Sequence, residues 1–188
     1  MSRMEETMDQ AIKSITIKTG KYLTFSLENE EYGIGILKVK EIIGMMTITS
    51  VPRTPDFVKG VINLRGKVIP VIDLRVKFDM APIEYSERTC IIVVEIEFDA
   101  HTISIGIVVD SVSEVLNIKE EEIEDAPTFG TRLDTSYIMG MAKTDGGVKI
   151  LLDIDHVLST KEISSIDQSN DQSNDQSNDQ SNDQSNDQ

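Results

Sequence analysis

Two histidines, a single cysteine and two aspartates at matching places are the residues whose types could do chemistry in this chain. His156 lies beside Asp153 and Asp155, but a metal site there would need further ligands. His101 falls in the polar break Asp99-Ala100-His101 and reads as an exposed turn residue. Cys90 opens the run Cys90-Ile91-Ile92-Val93-Val94 with no histidine near it in sequence. Its thiol therefore reads as a buried structural group rather than a nucleophile. Gly33 and Gly35 form G-x-G but lack the third glycine and the following helix of a phosphate-binding loop. Gly146-Gly147 is explained by turn chemistry, and Ser111 follows Asp110 with no base pattern. Asp73 and Asp153 each precede a short helical stretch and read as helix N-caps. These residues make no convincing catalytic constellation, and the expectation is a chain without enzyme activity, cofactor or metal.

Two other polar residues are out of keeping with their surroundings. Arg65 stands in the otherwise apolar ribbon GVINLRGKVIPVIDL, Gly60 to Leu74, and Glu41 stands among Val39, Ile42 and Ile43. A guanidinium in such a place needs an acidic partner, in its own chain or another. The pair reads equally as an internal salt bridge that fixes a sheet and as the edge of a docking groove, and the two readings are compatible.

The ribbon that carries Arg65 organises the chain. Val61 to Leu64 and Val68 to Ile72 suit a pleated surface, and Gly66 between them can take positive φ, so the stretch predicts a β-hairpin. Pro70 has no N–H for a ladder, which predicts an edge strand or a bulge. The pattern returns 80 residues later: Gly60, Gly66, Val68 and Asp73 match Gly140, Gly146, Val148 and Asp153. A second echo lies 73 residues on, where Gly33-Ile34 to Ile43 resembles Gly106-Ile107 to Leu116. Two echoes in the same order predict a duplicated unit and two similar β-subdomains.

Along the chain, strands are expected at Tyr22–Leu27, Tyr32–Ile34, Thr89–Phe98, Thr102–Val109, Glu114–Ile118, Tyr137–Ala142 and Val148–Leu152, besides the central ribbon. Ile36, Val39 and Ile43 have helical spacing, though a strand after one helical turn fits equally. Short helical turns are expected at Asp73–Phe78 and Asp153–Leu158, and a terminal helix within 159–166. Residues 81–88, with Pro82, read as the connection between the subdomains, with the chain ends free to cross over; residues 1–19 read as a tail and 20–158 as the folded region. Short, regularly spaced strands without long amphipathic helices predict an all-β protein of barrels or sandwiches.

Composition narrows the function further. Residues 167–188 repeat DQSN, contain no apolar residue, and are expected to be disordered. Setting aside their six Asp from the net charge of −15 leaves −9. That balance opposes binding to nucleic-acid phosphates or an anionic membrane surface, and permits a protein partner with a basic face. The lone cysteine fits a reducing compartment, no apolar run approaches the roughly 18 residues of a membrane span, and no secretory leader is evident.

The segments Glu31-Tyr32-Gly33-Ile34, Ile36 to Ile42, Gly60 to Gly66, Val71 to Arg75 and Gly106 to Asp110 together resemble the CheW-like family of bacterial chemotaxis coupling proteins. Asn-Leu-Arg-Gly followed by a β-run and Asp-Leu-Arg carries most of that resemblance, which runs from about Lys21 to Leu158. Such domains also occur in the kinase CheA and the CheV adaptors, but this chain shows neither a kinase ATP-binding region nor a receiver domain. The resemblance implies two five-stranded, SH3-like barrels packed side by side through an apolar seam. It implies a cytoplasmic adaptor, recruited to membrane-associated receptor arrays, that couples the helical-hairpin tips of chemoreceptors to the CheA regulatory domain. A groove between the barrels would receive the receptor tip, at Ile36, Val39, Glu41, Ile42, Arg65, Val68, Cys90 and Ile91. The kinase would meet the first barrel around Ile48, Val51, Pro52 and Phe57. The alternative is a small-barrel nucleic-acid-binding or other protein-interaction module; it predicts a basic stripe with exposed aromatics, which the net charge and 5% aromatic content oppose.

Overall fold

A computed structural model describes residues 19–127 and 135–166. The expected N-terminal tail, but for Thr19, and the DQSN tract lie outside the described residues. The elements follow the β-branched runs. β1 (Gly20–Leu27) and β2 (Glu30–Gly35) lead through a 3₁₀ turn, Ile36–Lys38, to β3 (Val39–Gly44). β4 (Val58–Leu64) and β5 (Lys67–Asp73) form the central ribbon, capped by α1 (Leu74–Lys77). β6 (Cys90–Phe98), β7 (His101–Val109) and β8 (Ser111–Ile118) follow. A second 3₁₀ turn, Glu120–Glu122, leads to β9 (Ile123–Glu124). β10 (Ile138–Thr144), β11 (Gly147–Leu152) and α2 (Ile154–Val157) repeat the ribbon and its helical turn. Residues 160–166 are helical.

The strands make two sheets, β3-β6-β7-β5-β4 and β8-β1-β2-β11-β10-β9. Position by position they are the same sheet twice. β5 pairs with β7 in parallel at Val71↔Gly106, as β11 pairs with β2 at Leu151↔Gly33. The β4–β5 ladder slips between Val58 and Gly60, and the β10–β11 ladder between Ile138 and Gly140. Beyond β4 an isolated bridge joins Thr49 to Val61, where β9 pairs Glu124 with Met141. Asp73 caps α1 by accepting from the N–H groups of Arg75 and Val76, and Asp153 caps α2 by accepting from Asp155. Both expected N-caps are therefore present.

Side-chain parity along each strand builds three apolar clusters. Ile91 and Val93 of β6 join Ile62, Ile69 and Val71 inside the five-stranded sheet. β6 and β4 are separated by two strands, so their shared cluster requires the sheet to curl over itself. Tyr22, Ile118, Ala142 and Leu151 play the same part in the six-stranded sheet. The opposite faces, including Ile92, Val94, Ile105 and Ile107 against Leu23, Phe25, Ile34 and Leu152, meet in one large shared cluster. That cluster is the apolar seam. The rings of Phe25, Tyr32, Phe78 and Tyr137 stack in file at 5.9, 5.9 and 5.1 Å centroid spacing, linking residues from both sides.

The all-β reading holds, with three differences in detail. Among the described residues neither ladder closes into a complete barrel; the sheets are curled and their strand orders are open. Residues 81–88 run from α1 to β6, so they join strands of one sheet, while the chain changes sheets at 36–38 and at Asp110. β5 lies between β4 and β7 rather than at an edge. Pro70 is tolerated because the β7 ladder begins only at Val71, so its missing N–H breaks no bond to β7.

Candidate protein-docking surface

Leu64 and Lys67 pair across a two-residue turn in which Arg65 and Gly66 have φ of 51° and 84°. Positive φ at both positions is the type I′ geometry whose twist matches the flanking strands. The Asn63 Oδ1 accepts from the Gly66 N–H at 2.9 Å and steadies the turn. The turn projects Arg65 toward β3, where its Nη2 donates to the Glu41 Oε1. β3 and the β4–β5 hairpin belong to opposite edges of the sheet, so this pair spans the mouth of the curl. The Arg65 side chain is 71% exposed and that of Glu41 25%. The Arg65 guanidinium holds the Glu41 carboxyl below its usual range, and Glu41 in turn raises Arg65. Lys40, Leu64, Lys67 and Ile69 complete a concavity of about 260 Å³ around them.

The other expected receptor-side residues are distributed unevenly. Ile42 and Val68 are exposed apolar side chains near the same end of the sheet. Ile36, Val39 and Cys90 are partly buried against the seam cluster, and burial pushes the Cys90 thiol up, away from thiolate chemistry. Ile91 is a correction: it is 0% exposed, because the parity of β6 turns it into the inner cluster with Val93. On the expected kinase side, Pro52 is exposed and Ile48 and Val51 are half-buried. Phe57 packs against the seam, with the Lys77 Nζ 4.6 Å from its ring centroid.

The structure adds features that the sequence pattern did not single out. Leu37 is 95% exposed at the centre of the 3₁₀ turn. Beside it lies an apolar cavity of about 530 Å³, lined by Tyr22, Ile36, Met139, Leu152 and Ile154. Burial, with Asp153 adding to it, pushes the Tyr22 phenol up to about 12. Val115 and Val148 are exposed at the positions that repeat Ile42 and Val68, so the internal repeat was the signal that could have found them. Tyr85 lies over the cap of α1, its hydroxyl 3.3 Å from the Asp73 Oδ2, and burial followed by Asp73 pushes it up to about 12. His156 contacts the Asp153 Oδ2 at 2.7 Å, and His101 meets Phe98 edge-on. Two concavities, exposed apolar side chains and a charged pair at a sheet mouth are features that suit protein docking.

Comparison with known proteins agrees with this architecture. The family model described as CheW-like domain matches residues 21–162. The chain is 46% identical over 147 residues to the chemotaxis protein CheW of Klebsiella aerogenes, covering 78% of this chain and 86% of that protein. It is 35% identical over 151 residues to the chemotaxis protein CheW of Bacillus subtilis, covering 79% and 94%. The crystal structure of the scaffolding protein TtCheW from Thermoanaerobacter tengcongensis superposes with a TM-score of 0.67 at 40% identity, covering 77% of this chain and 97% of that one. With both sheets, but for Gly20, lying inside the matched span, this chain belongs to the CheW-like domain family of chemotaxis proteins.

Proposed function

We propose that this protein is a non-enzymatic adaptor that couples the cytoplasmic tips of chemoreceptors to the regulatory domain of the histidine kinase CheA. The observation that carries the reading is the family match over residues 21–162, which spans both sheets and both concavities. Its place is the cytoplasm, at membrane-associated receptor arrays; among the described residues no helix is long and apolar enough to cross a membrane. The receptor surface centres on Glu41, Ile42, Arg65 and Val68, with Ile36, Val39 and Cys90 behind it; Ile91 supports it from the core. The kinase surface lies around Ile48, Val51 and Pro52, with Phe57 holding that segment to the seam.

An exposed ion pair adds little to folding, yet the same charges at a docking surface become costly to orphan once a partner excludes water. Arg65→Ala should therefore weaken binding of a receptor helical-hairpin fragment about tenfold or more while binding of the CheA regulatory domain stays within about twofold. Paired titrations, one per partner, measure this. Normal receptor binding by Arg65→Ala would remove the pair from the receptor surface, and absence of binding to either partner by the unmodified chain would end the adaptor reading. Titration with ATP and magnesium should give no saturable heat; a micromolar isotherm would argue for an activity that an adaptor does not need.

A further inference from the structure

The chain passes between the two sheets twice, and the two crossings are held very differently. At the second crossing the Asp110 N–H donates to the Ser26 carbonyl at 3.1 Å. The Asp110 Oδ2 accepts from the Glu28 N–H and from the Arg75 Nη1, each at 2.7 Å. The Arg75 Nε donates to the Ala81 carbonyl at 3.0 Å, and its side chain is only 6% exposed. This crossing is tied from both sheets through a buried guanidinium and its charge-assisted bonds.

At the first crossing the chain is a single 3₁₀ turn, Ile36–Lys38, entered through Gly35 without a side-chain cap. Ile36 packs against the seam cluster, and among the described residues one ion pair ties the turn to α2, Lys38 Nζ to Asp155 Oδ2 at 2.8 Å, with the two side chains 32% and 23% exposed. Asp155 is itself positioned, because its Oδ1 accepts from the Glu97 N–H at 3.0 Å. Asp155 stands 80 residues after Arg75, the offset of the internal repeat, so equivalent positions carry opposite charges. The apolar cavity of about 530 Å³ lies at this crossing, lined by Ile36, Leu37, Lys38, Ile154 and Asp155 among others.

We propose that the Ile36–Lys38 turn is a flap over the apolar cavity, latched by the Lys38–Asp155 ion pair, while the Arg75–Asp110 crossing keeps the other end of the seam shut. A short 3₁₀ turn has few and poorly aligned hydrogen bonds of its own, so once the ion pair is released only the packing of Ile36 against the seam opposes its local opening. The tether is partly solvated and therefore weakened by salt; the buried tie at Arg75 is screened much less. Opening is therefore one-sided.

Hydrogen exchange on the full chain tests this, comparing the unmodified protein with Lys38→Gln and Lys38→Arg at low and high salt. The amides of residues 36–39 should exchange about tenfold faster in Lys38→Gln and at high salt, as local opening requires. Lys38→Arg should behave as the parent, and amides 109–112 should not change. Equal exchange at 36–39 in Lys38→Gln and parent would overturn the latch. Parallel acceleration at 109–112 would also overturn it, since that is opening of the whole seam. A thiol placed in the cavity by Met139→Cys, in a Cys90→Ser background, gives a second readout: its labelling by a small thiol reagent should accelerate with Lys38→Gln. No acceleration there would mean that the turn frays without uncovering the cavity, and the flap would be ruled out.

Discussion

Glu41 on β3 and Arg65 in the β4–β5 turn lie at opposite edges of one five-stranded sheet, and their side chains are in contact. The contact bridges the mouth where the hydrogen-bond ladder stays open. Because the pair is exposed, Arg65→Ala should lower the thermal midpoint by less than about 3 °C, with the difference from the parent vanishing in high salt. A loss of more than about 10 °C in a thermal melt would mean that the pair holds the curl of the sheet together.

Gly60 and Gly66 both have positive φ, at 141° and 84°, but their surroundings differ. A methyl group on Gly60 would come within 2.0 Å of the Thr49 carbonyl oxygen, whereas Gly66 faces open space. Gly66→Ala should cost about 1–2 kcal/mol, the conformational penalty alone. Gly60→Ala should cost about 4 kcal/mol or more, because the Thr49–Val61 bridge must move as well. Chemical denaturation of both variants checks the ranking, and equal losses would contradict it.

Arg75 is buried against Asp110. Arg75→Met leaves that carboxylate beside the seam without its guanidinium, and should cost about 3–5 kcal/mol. Arg75→Met combined with Asp110→Asn should recover part of the loss, because the stranded charge is gone. Urea midpoints of the single and double variants measure the recovery; a double variant no more stable than Arg75→Met alone would refute it.

Lys149 is buried, with its Nζ on the Glu31 Oε2, and Ser113 donates to the Glu31 Oε1 at 2.9 Å. The lysine bond holds the Glu31 carboxyl below its ordinary value of 4.5. A depressed carboxyl stabilises the fold above its unfolded value, and that stability is lost as pH falls through the lowered native value. Glu31→Gln should therefore be less stable than the parent at neutral pH and converge with it as pH falls from 4.5 through the lowered native value. Denaturant midpoints from pH 7 to 3 give the comparison, and a constant gap across that range would exclude this linkage.

Much of the fold was legible because its signals are local. The Gly60–Leu74 hairpin, the helical turns and the caps at Asp73 and Asp153 each depend on neighbouring residues, and the 80-residue echo showed that the unit occurs twice. The parallel pairings β5–β7 and β2–β11 join segments far apart in the chain. No turn chemistry announces such pairings, so the place where the chain changes sheets was misjudged. Arg65 and Glu41 stood out because charge in an apolar ribbon needs a partner. Ile91 was misassigned for a reason of parity. One residue of register decides whether a β6 side chain faces the inner cluster or the seam, and an unbroken run from Cys90 to Val94 has no alternation to reveal it.

The interleaving of the sheets has a consequence for how the protein is made. The five-stranded sheet draws on one continuous stretch, β3 to β7, whereas the other needs β1 and β2 from the beginning of the chain and β8 to β11 from its later part. During synthesis the β1–β2 hairpin can pair within itself at once, but it precedes its outer partners β8 and β11 by the whole of the five-stranded sheet. The apolar faces of Phe25, Leu27 and Ile34 can meet the completed middle of the molecule before β11 exists to pair with β2. All five strands of the central sheet are thus available before the strands that complete the sheet on its other side have been made.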